Sequence, residues 1–524
     1  MRTRPGRGWR ATATRNGLWL LALLLFAAGC VRRPVDNPNI IVVSMSGGPN
    51  SLDPRVGADS YSEKASQLMF DNLMELDEHL RVSPGLAERL DQPDPTTYVA
   101  TLRRGVKFHD GHELTSEDVV YTFRSFLDPS FASVKKGGYR EVQSVDARDR
   151  YTVVFTLTKP FASFPVNLRQ AIVPAGAGPE LRDHPVGTGP YRFLRYAVDD
   201  RLEVAAFDDY FSGRPNNDGV ILKITPDDIM RGLELKKGTL DIVVNELAPD
   251  VVHQLKEDSR LQTLEAPGVD YQYIGLNLRD PILRDVRVRQ ALAYAVDRHA
   301  IVEYLRRGLA TPADTLLPPV SWARAPEVFS FPHDPARARA LLDAAGYPDP
   351  DGDGPAPRFR LTLKVSNVEY NRLQSAVIQQ DLQRVGVGLD IRAYEFATLY
   401  ADVIVGNFQA FTLQWAQGAL ADPDILRRVF HSSQIPPAGF NRGFYANPDV
   451  DALLDEASAS TDNERRRQLF AAVQRIVAED VPYISLWHIR NVTVAQRTLT
   501  GLRLSPIADF SFLRHVARVR PVAN

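Results

Sequence analysis

The chain has 524 residues, which at roughly 150 residues per domain excludes a single small module and indicates about three. Its 44% hydrophobic and 24% charged residues describe a packed globular body and exclude a collagen, a coiled coil or a wholly disordered chain. The net charge is −2, but Arg2, Arg4, Arg7, Arg10 and Arg15 stand in an acid-free leader; without them the body is mildly acidic and has no general electrostatic footprint for nucleic acid.

That leader continues into the apolar run Leu18 to Ala28 and the small residues Ala27-Ala28-Gly29, the charged, hydrophobic and small-residue order of a secretory signal. The run is short for a bilayer span. Phe26-Ala27-Ala28-Gly29-Cys30 resembles the bacterial lipobox, with Phe26 where leucine is usual. That resemblance implies cleavage before Cys30 and acylation of its thiol, and several acyl chains anchor stably where one does not. Cys30 is the only cysteine, so an intramolecular disulfide, a CxxC pair and a cysteine zinc site are excluded. Residues 1–29 are thus read as a signal peptide and 30–39, with two prolines and no periodicity, as a lipidated tether.

Ile40 to Val43 is a β-branched strand ended by the turn cluster Ser46-Gly47-Gly48-Pro49. Glu63 to Leu76 carries apolar residues at helical spacing. From Tyr98 to Phe108 the pattern is β, with turns at Arg104-Gly105 and Asp110-Gly111. Thr115 with Asp118 three residues on predicts a capped helix burying Val119, Val120, Phe123 and Phe126. Strands follow at 151–157 and 192–196, the latter after Gly187-Thr188-Gly189-Pro190. A helix at 227–237 is stopped by Gly238 and succeeded by strands at 240–244 and 270–278. A long helix is expected over 286–307, an irregular proline-rich stretch over 312–332, then helix 335–345, strand 360–365, helix 370–385 and strand 388–393. Helices at 450–458 and 463–479 and strands at 483–487 and 492–495 close the chain. The alternation predicts α/β sheets, and no fixed-period repeat supports a solenoid or propeller.

Few motifs carry chemistry. His109-Asp110-Gly111-His112-Glu113 has the wrong order for HExxH and a turn where a helix is needed. Asp349-Pro350-Asp351-Gly352-Asp353-Gly354 begins like an EF-hand loop, but Arg360 stands where the bidentate glutamate belongs. GxSxG and the phosphate-cradling glycine spacings are absent, and Arg465-Arg466-Arg467 reads as a solvated helix face. No metal, cofactor or catalytic constellation is predicted. A secreted hydrolase, the rival from another class, would need a nucleophile or metal triad that the sequence does not offer.

Six blocks in order, SLDPRVGADSYS (51–62), LRRGVKFHDGHELTSEDVVYTF (102–123), GTGPYRF (187–193), DVRVRQALAYAVDR (285–298), HDPARARALLDAAGY (333–347) and NPDVDALLDEA (447–457), resemble the signatures of extracellular solute-binding protein family 5. The resemblance implies an α/β, cluster C periplasmic-binding-protein fold, with two lobes joined by a hinge and an extra inserted domain. Domain I would comprise 40–80, 183–275 and 486–524, domain II 81–182 and domain III 276–485. It further implies a monomeric receptor that encloses a peptide or similar oligomeric solute, passes it to ABC permease and ATPase subunits, and is held outside the cytoplasm by the lipid on Cys30.

By the same resemblance Gln414, Trp415, Ala416 and Gln417 form a wall of the ligand cleft. Peptide binders of this kind place an ammonium-pairing aspartate about three residues after the tryptophan, where this chain has Gly418. Asp422 could take that role only if the intervening loop folds back; a buried ammonium needs a carboxylate. Trp415 reads equally as cleft wall or core. Ser46, Asn245, Glu246, Tyr271 and Tyr273 are candidates from domain I, with sheet packing the competing role for the tyrosines. The missing aspartate keeps open a non-peptide ligand on the same fold: an oligosaccharide, an opine or a chelated metal.

Overall fold

The structure is a computed structural model and describes residues 37, 39–352, 354–416 and 421–519. Three sheets dominate. A seven-stranded mixed sheet runs in the order 261–266, 491–496, 242–244, 40–45, 219–224, 201–206, 191–197; a six-stranded mixed sheet runs 310–312, 483–489, 271–276, 410–415, 359–366, 387–394. A four-stranded antiparallel sheet is formed by 87–94, 97–102, 152–157 and 142–149. In the first sheet Ile40–Met45 lies parallel to Gly219–Ile224 and to Ile242–Val244, so both its faces are covered and its residues are almost all apolar. Among the described residues no helix is long and apolar enough to cross a membrane.

Each sheet has its own core. Phe123, Phe155, Tyr139 and Phe126 pack edge to face and stacked between the four-stranded sheet and helix Ser116–Leu127. The expected cap of this helix is present, with Thr115 N–H donating to Asp118 Oδ2 at 2.8 Å. Gly238, at φ 76°, ends helix Asp228–Lys237 in the left-handed conformation that glycine adopts without steric cost.

Two helices differ from expectation. The first spans Ser60–Met69 rather than reaching Leu76. The Met69 carbonyl instead accepts Gly189 N–H at 3.0 Å, Leu73 N–H donates to Gln170 O at 3.1 Å, and Met74–Leu76 pairs with Val82–Pro84 as a hairpin. The apolar spacing at Leu73 and Met74 serves the core under the four-stranded sheet, not a helix face. The helix expected over 286–307 stops at Ala295. Asp297 there leaves helical geometry, and its side chain caps Ala300 N–H at 2.9 Å to begin a new short turn. The strands at 201–206, 219–224 and 261–266 lie outside the expected elements; 201–206 pairs with its sequence neighbours on both sides, while 219–224 and 261–266 pair across long sequence distances with 40–45 and 491–496.

The chain passes between the seven- and six-stranded sheets twice, at 267–270 and at Arg490. Tyr271–Leu276 therefore belongs with the later sheet, so the domain boundaries expected at 275/276 and 485/486 lie instead before Tyr271 and at Arg490; strand pairing, not hydrophobic pattern, sets them. The two crossings touch: Ile489 N–H donates to Asp270 O at 2.8 Å, and a Cβ on Gly268 would stand 2.3 Å from Ile489 O.

Candidate functional site

Between the bodies built on these sheets lies a cleft. One cavity, of about 330 Å³, is walled by segments 54–72, 135–139 and 166–171 with Ile507. Another, of about 780 Å³, is walled by 74–90 and 162–166 on one side and by Trp322, Asp422, Pro423 and helix residues 463–467 on the other. Val166 lines both, so they adjoin.

The cleft walls meet in a small polar contact. Ser163 Oγ donates to Asp422 Oδ1 at 3.0 Å and accepts from Arg466 Nη2 at 3.1 Å, and Ala162 N–H donates to Ser458 O at 3.1 Å. On the opposite flank Arg307 Nε reaches Asp250 Oδ1 at 2.8 Å. The contact is electrostatically loaded. Burial first, then the neighbouring Asp422 charge, pushes the Asp424 carboxyl up to about 7, against Arg427, Arg466 and Arg428. Burial likewise raises Asp422, with Arg466 opposing. Asp422 Oδ1 also accepts Asp424 N–H at 2.8 Å, whereas Asp424 Oδ1 is buried with no partner. Asp422 thus stands in the wall between lobes with its Oδ1 engaged by Ser163 and Asp424 N–H.

The other expected residues fall into three places. Ser46, Asn245 and Glu246 cluster at the ends of the central strands 40–45 and 242–244. Glu246 accepts Ser46 N–H and pairs with Lys64 Nζ at 3.0 Å, both side chains nearly buried, while Ser46 Oγ meets Tyr61 Oη at 2.7 Å. Asn245, at φ 58°, accepts Val492 N–H on Oδ1 at 2.7 Å and donates Nδ2 to Asn491 Oδ1 at 2.9 Å. Its side chain is spent holding the strand that follows the Arg490 crossing. Gln414 is exposed and also bonded to a crossing, Nε2 to Asp270 Oδ2 at 2.8 Å. Ser46 and Glu246 are thus tied to Tyr61 and Lys64, Asn245 to the strand after one crossing and Gln414 to the other crossing.

Tyr271 and Tyr273 are 1% and 0% exposed. They stack on each other with centroids 5.6 Å apart; Tyr271 Oη bonds Ser485 Oγ at 2.6 Å and Tyr273 Oη accepts from Arg442 at 3.2 Å. They fill the core behind strand Tyr271–Leu276, because every side chain of that central strand is buried on one face or the other. Trp415 is 8% exposed, set edge-on to Phe440 at 5.2 Å and 5.1 Å from the Arg442 guanidinium, so most of its ring is core. Ala416 is exposed just beyond the strand. Gln417, Gly418 and Cys30 lie outside the described residues.

The HDGHE segment has a structural task. His109 Nε2 lies 3.0 Å from Gly189 O and its Nδ1 accepts Gly187 N–H at 3.3 Å, and burial lowers the ring pKa to about 4, so it is neutral. Gly187 and Gly189 press on the end of helix Ser60–Met69, where a Cβ would come within 2.1 and 2.4 Å of Met69. Two sequence blocks that looked independent are thus one joint. Among the described residues no group of three or more His, Cys, Asp or Glu could hold a metal ion. Sequence reasoning missed Glu63, Lys135 and Arg169 in the smaller cavity, since isolated charges on separate segments leave no spacing to read.

Residues 81–437 match the family described as bacterial extracellular solute-binding proteins, family 5 Middle. The chain is 32% identical over 507 residues, 90% of it and 91% of the relative, to heme-binding protein A of Haemophilus influenzae. It is 28% identical over 541 residues, 96% of it and 99% of the relative, to the dipeptide-binding protein of Escherichia coli. Among solved structures, HbpA2 from Haemophilus parasuis matches with a TM-score of 0.81 and 28% identity, over 91% of this chain and 99% of that one.

Proposed function

The chain belongs to the bacterial extracellular solute-binding proteins of family 5, and from that premise we propose that it is the substrate-binding receptor of a bacterial ABC import system. It captures peptides or similar oligomeric solutes between its lobes and delivers them to a membrane permease. The observation that carries this reading is the pair of touching chain crossings between the two large sheets, together with a cavity walled on one side by 74–90 and 162–166 and on the other by Trp322, Asp422, Pro423 and 463–467. Two strands a few residues apart make a hinge, and a ligand touching both lobes biases the open and closed states by its differential affinity.

The names of the relatives bear on the cargo, since one is called dipeptide-binding and another heme-binding. Peptides are the first reading. A non-peptide solute is the second, favoured by Asp422 being already engaged by Ser163 and Asp424 N–H. In this proposal Cys30 carries the lipid that holds the receptor outside the cytoplasmic membrane, Ala416 and the exposed edge of Trp415 face the ligand, and the protein acts as a monomer without catalysis.

Native mass spectrometry of the freshly purified chain, before and after a tripeptide pool, tests the reading. A retained peptide mass supports it, a retained non-peptide solute favours the second cargo, and no retained solute from either source refutes a capture role.

A further inference from the structure

The smaller cavity beside Val166 is lined by one acid, Glu63, and two bases, Lys135 and Arg169, with the amides of Gln67 and Asn72 nearby. Lys135 Nζ gives one of its three donors to Pro54 O at 2.8 Å. Arg169 Nε is buried with no hydrogen-bond partner. Among the described residues none of the ion pairs involves Arg169, Lys135 or Glu63. Three charges therefore share one water-sized to peptide-sized space without being neutralised by direct contact.

The two cations work against each other. Burial lowers the Lys135 pKa first; Glu63 and Asp53 raise it, and Arg169 lowers it further. Burial raises Glu63 while Lys135 and Arg169 pull it down. The lining carries one more positive than negative charge, and an anion seated between the two bases would relieve their repulsion and engage free donors. A carboxylate matches the planar guanidinium fork, and charge-assisted bonds of this kind are the strong ones. The position suits the end of a short peptide: Val166 lines this cavity and the larger one beside it, where the rest of a ligand would lie.

Resting on the reading that the cleft takes peptides, we propose that Lys135 and Arg169 form an anion subsite that seats the ligand's terminal carboxylate. The subsite makes the receptor selective for free acids over amides at the carboxyl end. It draws on residues of the two segments that flank the four-stranded sheet, so specificity resides in that inserted body as well as in the wall around Trp415.

The test uses the purified chain with an equimolar pool of tripeptides, half free acids and half carboxy-terminal amides, and reads the retained members by mass spectrometry after rapid gel filtration. The wild type is expected to retain acids over amides by about tenfold or more, the scale of one lost charge-assisted hydrogen bond. Arg169→Gln and Lys135→Gln should each bring the ratio close to one while peptides are still retained, and Lys135→Arg should restore part of it; thermal melts identify any variant that fails to fold. Equal retention of acids and amides by the wild type overturns the subsite and leaves the receptor reading standing. A ratio that survives in both folded glutamine variants also overturns it. No peptide retained by the wild type refutes both.

Discussion

Replacing Asp424 with Asn should stabilise the protein at neutral pH and above. The carboxyl is 8% exposed, lacks a partner on Oδ1 and sits beside the Asp422 charge. Its pKa rises from 3.8 to about 7 on folding, so the native state holds a proton that the unfolded chain has already released. Stability therefore falls as pH rises from about 4 to 7 and stays low above that. At about 1.4 kcal/mol per unit, a shift of about three units sets a ceiling on the order of 4 kcal/mol. Asparagine keeps the shape and removes both the titration and the repulsion on Asp422. Urea unfolding at pH 5, 6, 7 and 8, with the variant compared to wild type at each, reads the effect: the Asp424→Asn advantage should grow with pH and reach at least about 1 kcal/mol at pH 8. A pH-independent difference, or a variant weaker than wild type at pH 8, refutes the account. Because Asp422 meets Ser163 across the cleft, small-angle scattering should also show a more compact ligand-free Asp424→Asn at pH 8.

Gly268→Ala would place a methyl 2.3 Å from Ile489 O and 2.8 Å from Asn491 Oδ1; overpacking of this kind costs about 1–3 kcal/mol, and the loss should appear as a lower melting temperature and slower closure by stopped-flow fluorescence. Lys64→Met leaves Glu246 charged and nearly buried without its partner, which predicts a loss of about 3–5 kcal/mol, largely recovered in the Lys64→Met, Glu246→Gln double variant; chemical denaturation of all three measures it. Cys30→Ala should move the protein from the membrane to the soluble fraction, and unchanged retention with no lipid on the wild type refutes the anchor.

Local chemistry was readable where it is self-contained. The Thr115–Asp118 cap, the Gly238 stop and the β-branched run at Ile40 all act within a few residues, and each element stands where its sequence put it. Periodicity misled where tertiary contacts reused apolar spacing, as at Leu73 and Met74, or where one side chain, Asp297, broke a run. The site was harder to read. Asn245 and Gln414 are polar residues at strand ends, the pattern expected of ligand contacts, yet Gln414 bonds to one crossing between sheets and Asn245 to the strand that follows the other. Lys135 and Arg169 come together only through folding, and no local signal marks them.

The pairing of Leu261–Ala266 and Ile242–Val244 with Asn491–Gln496 sets an order of assembly. The lobe that begins the chain needs a strand made almost at its end, whereas everything from Tyr271 to Ile489 is one uninterrupted stretch that can close on itself first. During synthesis the amino-terminal half must wait, strand 242–244 lacking its outer neighbour and 261–266 its only one, until some 490 residues have been made. A chain stopped before Asn491 would hold a complete second lobe beside an unfinished first one, open along the edge of Ile242–Val244 and with Leu261–Ala266 left unpaired.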